Sequence, residues 1–463
     1  MKRILPSIAL GWVALLLAVL PGAGDLRPAV DGLVRATLFP ASPFIRSSDS
    51  ITTYAYLPLV LRAYRPPPPP PVYPNDPYYA YGYQWGLNKI WAPEAWALSR
   101  GGGVLIAVLD TGTDYNHPDL AGKVRTDIDR DFINNDSDAL DDHGHGTHVS
   151  GIAAAATNNN QGVAGLGWEA TILPLKVMNA QGEGSTAELV PAIYYAADQG
   201  AKVINMSLGG AGSCPEDLQA AVDYAYSRGV LLVAAAGNNG TNQTVFPANC
   251  THVLGVAATN SYDTRASFSN YGDHVSVAAP GTSIYSTLRG SGYGYMQGTS
   301  MATPFVAGLA ALVYARFPTY TPDQVASAIL DNAQDLGSTG WDPYYGCGRI
   351  DAFKALWEGA RGDAPVCLGA RAWGAGVEEP GSGGAEEAVP GEVVVTLRAG
   401  VRAERLFRAQ GLASRGALLY QTHSGVQVWR LRVPVGQEEA VLARLRADPA
   451  VIAADRNYRI TAQ

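Results

Sequence analysis

The chain has 463 residues, of which 47% are hydrophobic and 16% charged, and its 52 glycines and 30 prolines suit a compact, loop-rich protein. Its length allows two or three domains, and its composition excludes a coiled coil and a wholly disordered chain. The formal net charge of −8 argues against nucleic-acid binding, because that function needs a basic surface to neutralise phosphates.

The N-terminus has the pattern of an export signal. A basic start is followed by an apolar run from Ile8 to Leu20, which is short for a membrane span of roughly 20 residues. The pattern predicts a signal peptide over residues 1–24 and a secreted protein that has no membrane attachment after cleavage. An uncleaved anchor is the alternative, because Pro21 fits a small-residue cleavage motif poorly.

Residues 25–74 form an irregular N-terminal segment without clear periodicity. Within it, six consecutive prolines from Pro66 to Pro71 predict a stiff, extended polyproline spacer.

Residues 75–358 alternate short apolar runs with amphipathic helical patterns. Strands that are buried on both faces of a parallel sheet read as continuous apolar runs. Five such strands are predicted, at Val104–Leu109, Ile172–Val177, Val203–Met206, Val230–Ala235 and Val253–Ala257. The alternation indicates a doubly wound α/β domain, in which functional residues gather at the carboxyl ends of the strands.

The last part of the chain changes in composition. Residues 359–388 are rich in Gly, Ala, Glu and Pro and predict a linker. Residues 389–463 then have the order strand, helix, two strands, helix and strand, with the last strand at Val451–Tyr458. This order predicts a second, small α+β domain with the ferredoxin-like βαββαβ motif.

Three segments carry residues suited to nucleophilic catalysis. Asp110 ends a predicted strand, while His145 and Ser300 each stand where a helix begins. A serine hydroxyl needs a base to take its proton, and an imidazole can do so when a carboxylate holds its tautomer. A serine at a helix start also has backbone N–H groups directed towards an anion. Singly, each residue is as well explained by a turn or a helix cap.

Together, the segments Asp110-Thr-Gly, His145-Gly-Thr-His and Gly-Thr-Ser300-Met-Ala resemble the subtilisin family, in this chain order. Thermitase-like members resemble the chain most, through Asn75-Asp-Pro-Tyr and Gln84-Trp-Gly. The resemblance implies a seven-stranded parallel core and a serine endopeptidase that acts through an acyl-enzyme. It also implies that Asn238, in Ala-Ala-Ala-Gly-Asn, donates to the oxyanion together with the N–H of Ser300.

Other classes of function explain less of the sequence. Asp110-Thr-Gly also resembles the aspartic-protease signature, but that chemistry needs a second such segment. The spacing of His143, His145 and His148 resembles that of zinc hydrolases, which would leave Ser300 and Asn238 without a role. A catalytically inactive binding module is a further alternative.

The resemblance also implies a peptide-binding groove in which substrate is added as a strand between two edge segments. Glycines suit these segments because the peptide backbone must approach closely. The implied groove residues are Gly182, Gly184, Ser207, Leu208 and Gly209, with Met178 and Leu189 joining Leu208 in an apolar pocket and Val245 near the first subsite. Because no charged residue stands out there, we expect broad specificity with an apolar preference. Ordinary core packing is the alternative for the apolar residues.

Calcium is the cofactor implied by the resemblance, since hard cations need clusters of oxygen ligands. One implied site combines side chains of Asp76, Asp119 and Asn159 with the carbonyls of Ala156, Gln161 and Val163. A second combines Asp131, Asp136 and Asp138, with Asn134 as a further candidate. A solvated acidic loop is the alternative for the second site.

Four cysteines allow three pairings, and an exported protein is expected to form two disulfides. We favour Cys214–Cys250 and Cys347–Cys367, because each joins neighbouring loops, over buried free thiols.

The C-terminal unit resembles the prodomain of the same family, although it follows the peptidase domain here. By that resemblance it is an intramolecular inhibitor and folding aid, with Ile460-Thr-Ala-Gln463 occupying the subsites of the groove as a product-like strand that presents no scissile bond. An inert accessory domain is the alternative. The other partners expected are polypeptide substrates, and such enzymes are ordinarily monomers.

Overall fold

The structure is a computed structural model that describes residues 67–368, 388–412 and 416–463. The predicted signal peptide, most of the irregular segment and most of the linker lie outside the described residues. The same holds for the first of the six prolines.

The described residues contain eleven helices, which we number α1 to α11 in chain order. They are Pro77–Ala80, Trp85–Lys89, Ala92–Trp96, His145–Ala154, Thr186–Asp198, Glu216–Ser227, Thr299–Arg316, Pro322–Leu330, Ala352–Glu358, Ala403–Ala409 and Glu438–Arg446. None of the helices in this part of the chain is both long enough and apolar enough to cross a membrane.

The same residues contain sixteen strands, numbered β1 to β16. They are Leu105–Asp110, Arg130–Asp131, Thr171–Lys176, Glu183–Ser185, Val203–Met206, Leu208–Ala211, Leu231–Ala235, Val245–Phe246, Val253–Thr259, Val277–Pro280, Ile284–Leu288, Gly292–Met296, Ala388–Leu397, Gly416–Gln421, Gln427–Arg432 and Val451–Ala462.

Seven strands form one parallel sheet in the order β10-β9-β7-β5-β1-β3-β2. All five predicted strands belong to it, with ends within two residues of those expected. Its central strands are buried along their whole length, because helices cover both faces. The predicted doubly wound α/β architecture is therefore confirmed.

Helix α7 shows why Ser300 has a fixed position. It begins at Thr299, as the sequence predicts, and is buried through Tyr314. An apolar helix without a polar face can lie only inside the domain, where α7 joins one of the two large hydrophobic clusters. Its N-terminus thus reaches the carboxyl edge of the sheet.

The two favoured disulfides, Cys214–Cys250 and Cys347–Cys367, are both formed. Among the described residues no cysteine is left free.

The C-terminal unit is a four-stranded antiparallel sheet in the order β14-β15-β13-β16, with α10 and α11 packed on one face. Side chains alternate along β13: Val393 and Val395 enter the unit's own core, whereas Val394 enters a hydrophobic cluster of the peptidase domain. The unit therefore buries both faces of its sheet.

Strand β16 extends four residues beyond the predicted end at Tyr458. The added residues pair with β4 and β6 of the peptidase domain, which is where the resemblance to the prodomain leads us to expect a product-like strand. One strand thus joins the small sheet to the edge of the groove, within one compact unit, Pro69–Gln463.

Candidate active site

Asp110 ends β1 and is fully buried at the carboxyl edge of the parallel sheet. Its Oδ1 lies 2.8 Å from Nδ1 of His145 and accepts a 2.7 Å hydrogen bond from the N–H of Thr111. Gly146 permits this approach, since a Cβ there would overlap the carbonyl oxygen of Gly112 and lie 3.0 Å from Asp110 Oδ1. A carboxylate in this position orients the imidazole and stabilises its protonated form.

His145 is the first residue of α4 and is almost completely buried. Burial disfavours the imidazolium, but the charges of Asp110 and Asp141 outweigh it, so the pKa of His145 is raised above its ordinary value of 6.5. The backbone of Gln463 makes a smaller contribution that also raises the pKa of His145. No hydrogen bond of standard geometry reaches His145 Nε2 from the described residues.

Ser300 is the second residue of α7. Its Oγ donates a 2.9 Å hydrogen bond to the carbonyl oxygen of Ser207, and no hydrogen bond between described residues joins it to His145. A serine side chain has three staggered rotamers. Rotation about χ1 is the movement by which the Ser300 hydroxyl would change its hydrogen-bond acceptor from the Ser207 carbonyl to His145 Nε2. Catalytic hydrogen bonds commonly tighten only when substrate binds.

The carbonyl oxygen of Gln463 lies at the N-terminus of α7, in the neighbourhood of Asn238. The N–H of Ser300 donates to it at 3.1 Å. Asn238 Oδ1 accepts hydrogen bonds of 2.9 and 3.0 Å from N and Oγ1 of Thr299, so Nδ2 is left for the groove. A Cβ at Gly298 would lie 3.0 Å from the Gln463 oxygen and 3.2 Å from Asn238 Nδ2, which shows how closely these groups meet. The N–H of Ser300 and Asn238 Nδ2 are therefore the candidate donors of an oxyanion hole.

The groove between β4 and β6 is filled by the end of β16. Ile460 pairs with Gly184, and Thr461 lies between Glu183 and Gly209, all antiparallel. The N–H of Ala462 donates to the carbonyl of Gly182 at 3.0 Å, and that of Gln463 to the carbonyl of Ser207 at 3.3 Å. We name the four subsites of the groove S4, S3, S2 and S1. They hold the side chains of Ile460, Thr461, Ala462 and Gln463, in this order.

The S4 position is an apolar pocket. Ile460 is fully buried, in the same hydrophobic cluster as Met178, Leu189 and Leu208. At S1, Nε2 of Gln463 donates to the carbonyl of Gly209 at 3.3 Å. Val245 adjoins this position, because a Cβ on Gly209 would overlap it. The residues predicted for the groove therefore lie together around the bound strand.

The C-terminal unit also caps two helices of the peptidase domain. Asn457 Oδ1 accepts from the N–H of Ala187 at 2.9 Å, at the start of α5. Asp455 Oδ2 accepts from the N–H of Glu216 at 3.0 Å, at the start of α6. The residue before α6 is Pro215, which has no side chain able to cap. These hydrogen bonds satisfy backbone donors that each helix leaves open.

Further contacts hold the unit at the other end of α5. Asp198 Oδ2 accepts from the hydroxyl of Tyr420 at 2.9 Å and from the N–H of His423 at 3.0 Å. At the start of the helix, Arg430 lies 3.4 Å from Glu188. The interface thus has polar contacts at both ends and apolar side chains between them.

The first predicted calcium site has the oxygen atoms that a hard cation needs. Asp76 and Asp119 are fully buried, and burial raises the pKa of each to about 6. Asn159 lies beside them, with Nδ2 2.8 Å from Asp119 Oδ1. Three carbonyls accept no hydrogen bond from the described residues, those of Ala156, Gln161 and Val163. A divalent cation would neutralise the two carboxylates, so the residues fit calcium.

The second predicted site is arranged differently. Both carboxylate oxygens of Asp131 accept hydrogen bonds from the loop that follows it, including one from Asn134 Nδ2 at 2.8 Å. Asp136 accepts from the N–H of Asp138. In the described ranges no group of three or more His, Cys, Asp or Glu side chains is close enough to hold a metal. The acidic residues therefore organise their own loop.

The part of the chain that the structure describes contains no cluster of histidines close enough to hold zinc. His148 Nε2 lies 3.1 Å from the carbonyl of Ile284 and 3.2 Å from that of Gly294. Burial lowers the pKa of His148 to about 4. Its ring is therefore held by backbone carbonyls, while His145 is held by Asp110.

Sequence reasoning missed two supporting residues. Asp141 accepts five hydrogen bonds, among them those of Thr111 Oγ1 and the N–H of Gly144, and so fixes the loop before His145. Buried Lys176 joins the carbonyl of Thr111 to that of Met178. An Asp four residues before the histidine was the available signal for the first. A lysine ending an apolar strand was the signal for the second.

The chain is similar to several known proteins. Residues 101–348 match the family model described as Subtilase family. Thermitase of Thermoactinomyces vulgaris is 46% identical over 283 residues, which are 61% of this chain and 99% of that protein. Subtilisin Savinase of Lederbergia lenta is 41% identical over 272 residues, 58% of this chain and 97% of that protein.

A solved structure is similar as well. It is a protease from Pseudoalteromonas arctica PAMC 21717, with 36% sequence identity and a TM-score of 0.57. The match covers 62% of this chain and 99% of that one. The family model ends at residue 348, before the C-terminal unit begins.

Proposed function

Because the chain belongs to the subtilase family and is a serine endopeptidase of the subtilisin type, we propose that Ser300 is its nucleophile and that its own C-terminal unit inhibits it by filling the groove. The observation that carries both parts is the position of Gln463. Its carbonyl oxygen accepts from the N–H of Ser300 while the preceding residues pair with β4 and β6.

In the proposed reaction, a substrate strand replaces the tail and its scissile carbonyl lies where that of Gln463 lies now. Ser300 Oγ turns from the Ser207 carbonyl to His145 Nε2, which takes its proton as Oγ attacks. The oxyanion is stabilised by the N–H of Ser300 and by Asn238 Nδ2. His145 then gives the proton to the leaving amine, and water hydrolyses the acyl-enzyme by the reverse steps.

The substrate class follows from the groove. The S4 pocket around Ile460 is apolar, and the rest of the strand is held mainly through its backbone. Main-chain hydrogen bonds bind many sequences alike, so we expect broad specificity with an apolar residue at S4.

The C-terminal unit is proposed as inhibitor and folding aid. It caps α5 and α6, two helices whose preceding residues make no side-chain cap of their own. Parallel sheets form slowly from contacts distant in the chain, so a unit that stabilises two helices early would speed folding. The C-terminal unit and polypeptide substrates are thus the proposed partners of the groove.

Calcium is proposed as a structural cofactor held by Asp76, Asp119 and Asn159 with the three free carbonyls. The ion would neutralise two buried carboxylates and stabilise the folded state. Chelation with EDTA should lower the melting temperature, and Asp119→Asn should reduce that difference. An unchanged melting temperature after EDTA would refute the site.

Secretion is proposed from the N-terminal pattern alone. Expression of the full chain with its first 24 residues, compared with a chain lacking them, tests it. Equal amounts in the medium would contradict the proposal.

A fluorophosphonate probe tests the nucleophile and the inhibition together. The full chain should label slowly, Ser300→Ala not at all, and a chain without residues 389–463 faster if it folds. Because that truncation can fail to fold, Ile460→Asp in the full chain is the parallel variant, with Ile452→Asp on the partly exposed side of β16 as its control. Equal labelling of the full chain and Ile460→Asp would contradict inhibition by the tail.

A further inference from the structure

The side chains of the bound strand alternate between the core and solvent. Ile460 is fully buried at S4, whereas Thr461 at S3 is exposed. Residues that face each other across antiparallel strands have Cβ atoms about 4.5–5.5 Å apart and lie on the same side of the sheet. The neighbours of Thr461 in the two flanking strands are Glu183 and Gly209.

Only one of these two neighbours has a side chain. Gly209 carries no side chain, so Glu183 supplies the one side chain directly across the strands from Thr461. Glu183 is exposed, and its carboxylate takes part in no ion pair or hydrogen bond among the described residues. The nearest basic residue on this face of the strand is Arg459, which pairs with Ser185 and forms no ion pair with Glu183.

We propose that Glu183 is a specificity-determining residue that selects a cationic side chain, lysine or arginine, at the S3 position of polypeptide substrates. This inference rests on the proposed function, because it takes the position of Thr461 as the position of a substrate residue. Opposite charges facing each other across antiparallel strands stabilise the pair, and like charges destabilise it.

The neutral Thr461 leaves this preference unused in the chain's own tail. A substrate with lysine or arginine at S3 therefore gains an interaction that the tail lacks. Such substrates should displace the tail more readily than otherwise identical peptides with a glutamate at S3.

A charge-reversal cycle in the full chain tests the inference. The tail variants Thr461→Arg and Thr461→Glu are combined with either Glu183 or Glu183→Arg, and the rate of Ser300 labelling by a fluorophosphonate reports how tightly the tail is held. Arg459 is the same in all four proteins, so its charge cancels in the comparison.

With Glu183 present, Thr461→Arg should slow labelling and Thr461→Glu should speed it, each by about 1.5- to 5-fold relative to Thr461. With Glu183→Arg, the order of the two tail variants should reverse. High salt should shrink both differences, because the groups are exposed. The matched control is Glu169→Arg, a change at an exposed carboxylate paired with Arg100 rather than with the tail, which should keep the original order.

The same order in the Glu183 and Glu183→Arg backgrounds would overturn the inference and leave the proposed function intact. Absence of labelling in every variant, including Ile460→Asp, would overturn the proposed nucleophile and this inference with it.

Discussion

The peptidase domain and the C-terminal unit differ in how they bury their hydrophobic surface. The peptidase domain has helices on both faces of its seven-stranded sheet and two large apolar clusters. The C-terminal unit has helices on one face of its sheet only. The other face packs against the peptidase domain, where Val394 and Val428 join one of that domain's hydrophobic clusters. The small unit therefore depends on the large one for part of its core, whereas the active site is built entirely from the large one.

Charge divides the two regions as well. Residues 389–463 contain eleven arginines and no lysine against six acidic residues, although the whole chain has a net charge of −8. The C-terminal unit is therefore basic, whereas the rest of the chain is acidic. Two of its arginines, Arg430 and Arg446, form ion pairs with Glu188 and Glu216 of the peptidase domain. Opposite charge of this kind favours rapid and correctly oriented docking.

The largest expected effect is a loss of catalytic rate in a variant whose C-terminal unit stays docked. Asn238→Ala should lower kcat by about 100- to 1,000-fold, a magnitude known from a subtilisin, because it removes one oxyanion donor. The tail should stay docked, so hydrogen exchange of the β16 amides should not change. A large rise in β16 exchange would show instead that Asn238 holds the tail.

Replacing Ile460 with a charged residue should have the next largest effect, which is a rise in the reactivity of Ser300. Ile460→Asp places a carboxylate in the S4 pocket, and its burial should cost about 2–4 kcal/mol of tail binding. Labelling of Ser300 should then rise by roughly 30- to 1,000-fold. Ile452→Asp, on the partly exposed side of the same strand, should label like the unmodified chain.

Docking should also depend on pH through Asp217. This residue is fully buried at the start of α6, and its Oδ2 has no hydrogen-bond partner among the described residues. Burial and the charges of Asp455 and Glu216 raise its pKa well above 3.8 in the docked state. Undocking would remove the charge of Asp455, which belongs to the C-terminal unit, and so lower the pKa, which means that docking takes up a proton.

Docking should therefore be strongest below the ordinary pKa of Asp217 and weaken as the pH rises towards the raised value, by up to about tenfold per pH unit. The ratio of the labelling rate of the unmodified chain to that of Asp217→Asn should rise with pH, because asparagine mimics the protonated acid. Comparing variants at each pH cancels the titration of His145. Asp223→Asn, in the same helix but exposed, should leave the profile unchanged, and a flat ratio for Asp217→Asn would contradict the linkage.

The smallest expected effect comes from the charge difference itself. Raising the salt concentration should speed labelling of the full chain by about 2- to 5-fold, because the ion pairs of Arg430 and Arg446 are partly exposed. The double variant Arg430→Gln/Arg446→Gln should lose most of this dependence. Equal salt dependence of the labelling rate in both proteins would show that these two ion pairs do not cause it.

The candidate triad could be predicted because its residues stand at element boundaries within segments that resemble the subtilisin family. Asp110 ends an apolar strand, and His145 and Ser300 begin helices. Local pattern alone explains each residue as well by a turn or a helix cap, so the assignment comes from the resemblance of the three segments together. The favoured disulfides could be predicted because each joins loops close in the chain.

Other features depend on contacts that no local pattern reveals. The sequence cannot show that Ser300 Oγ donates to the Ser207 carbonyl, because the two residues are 93 positions apart. It cannot show that Asp455 caps α6, because the two segments are 239 residues apart. The longer β16 follows from the family resemblance and not from local pattern, because its last residues pair with strands of another domain.

The alternation along β13 has a consequence for activation. If the C-terminal unit left the peptidase domain, Val394 and Val428 would come into contact with water, and the unit would lose the support of one entire sheet face. A loosened polypeptide beside a newly opened protease is itself a substrate. If the unit is the inhibitor proposed above, its departure would be followed by its own cleavage, and activation of the enzyme would be irreversible.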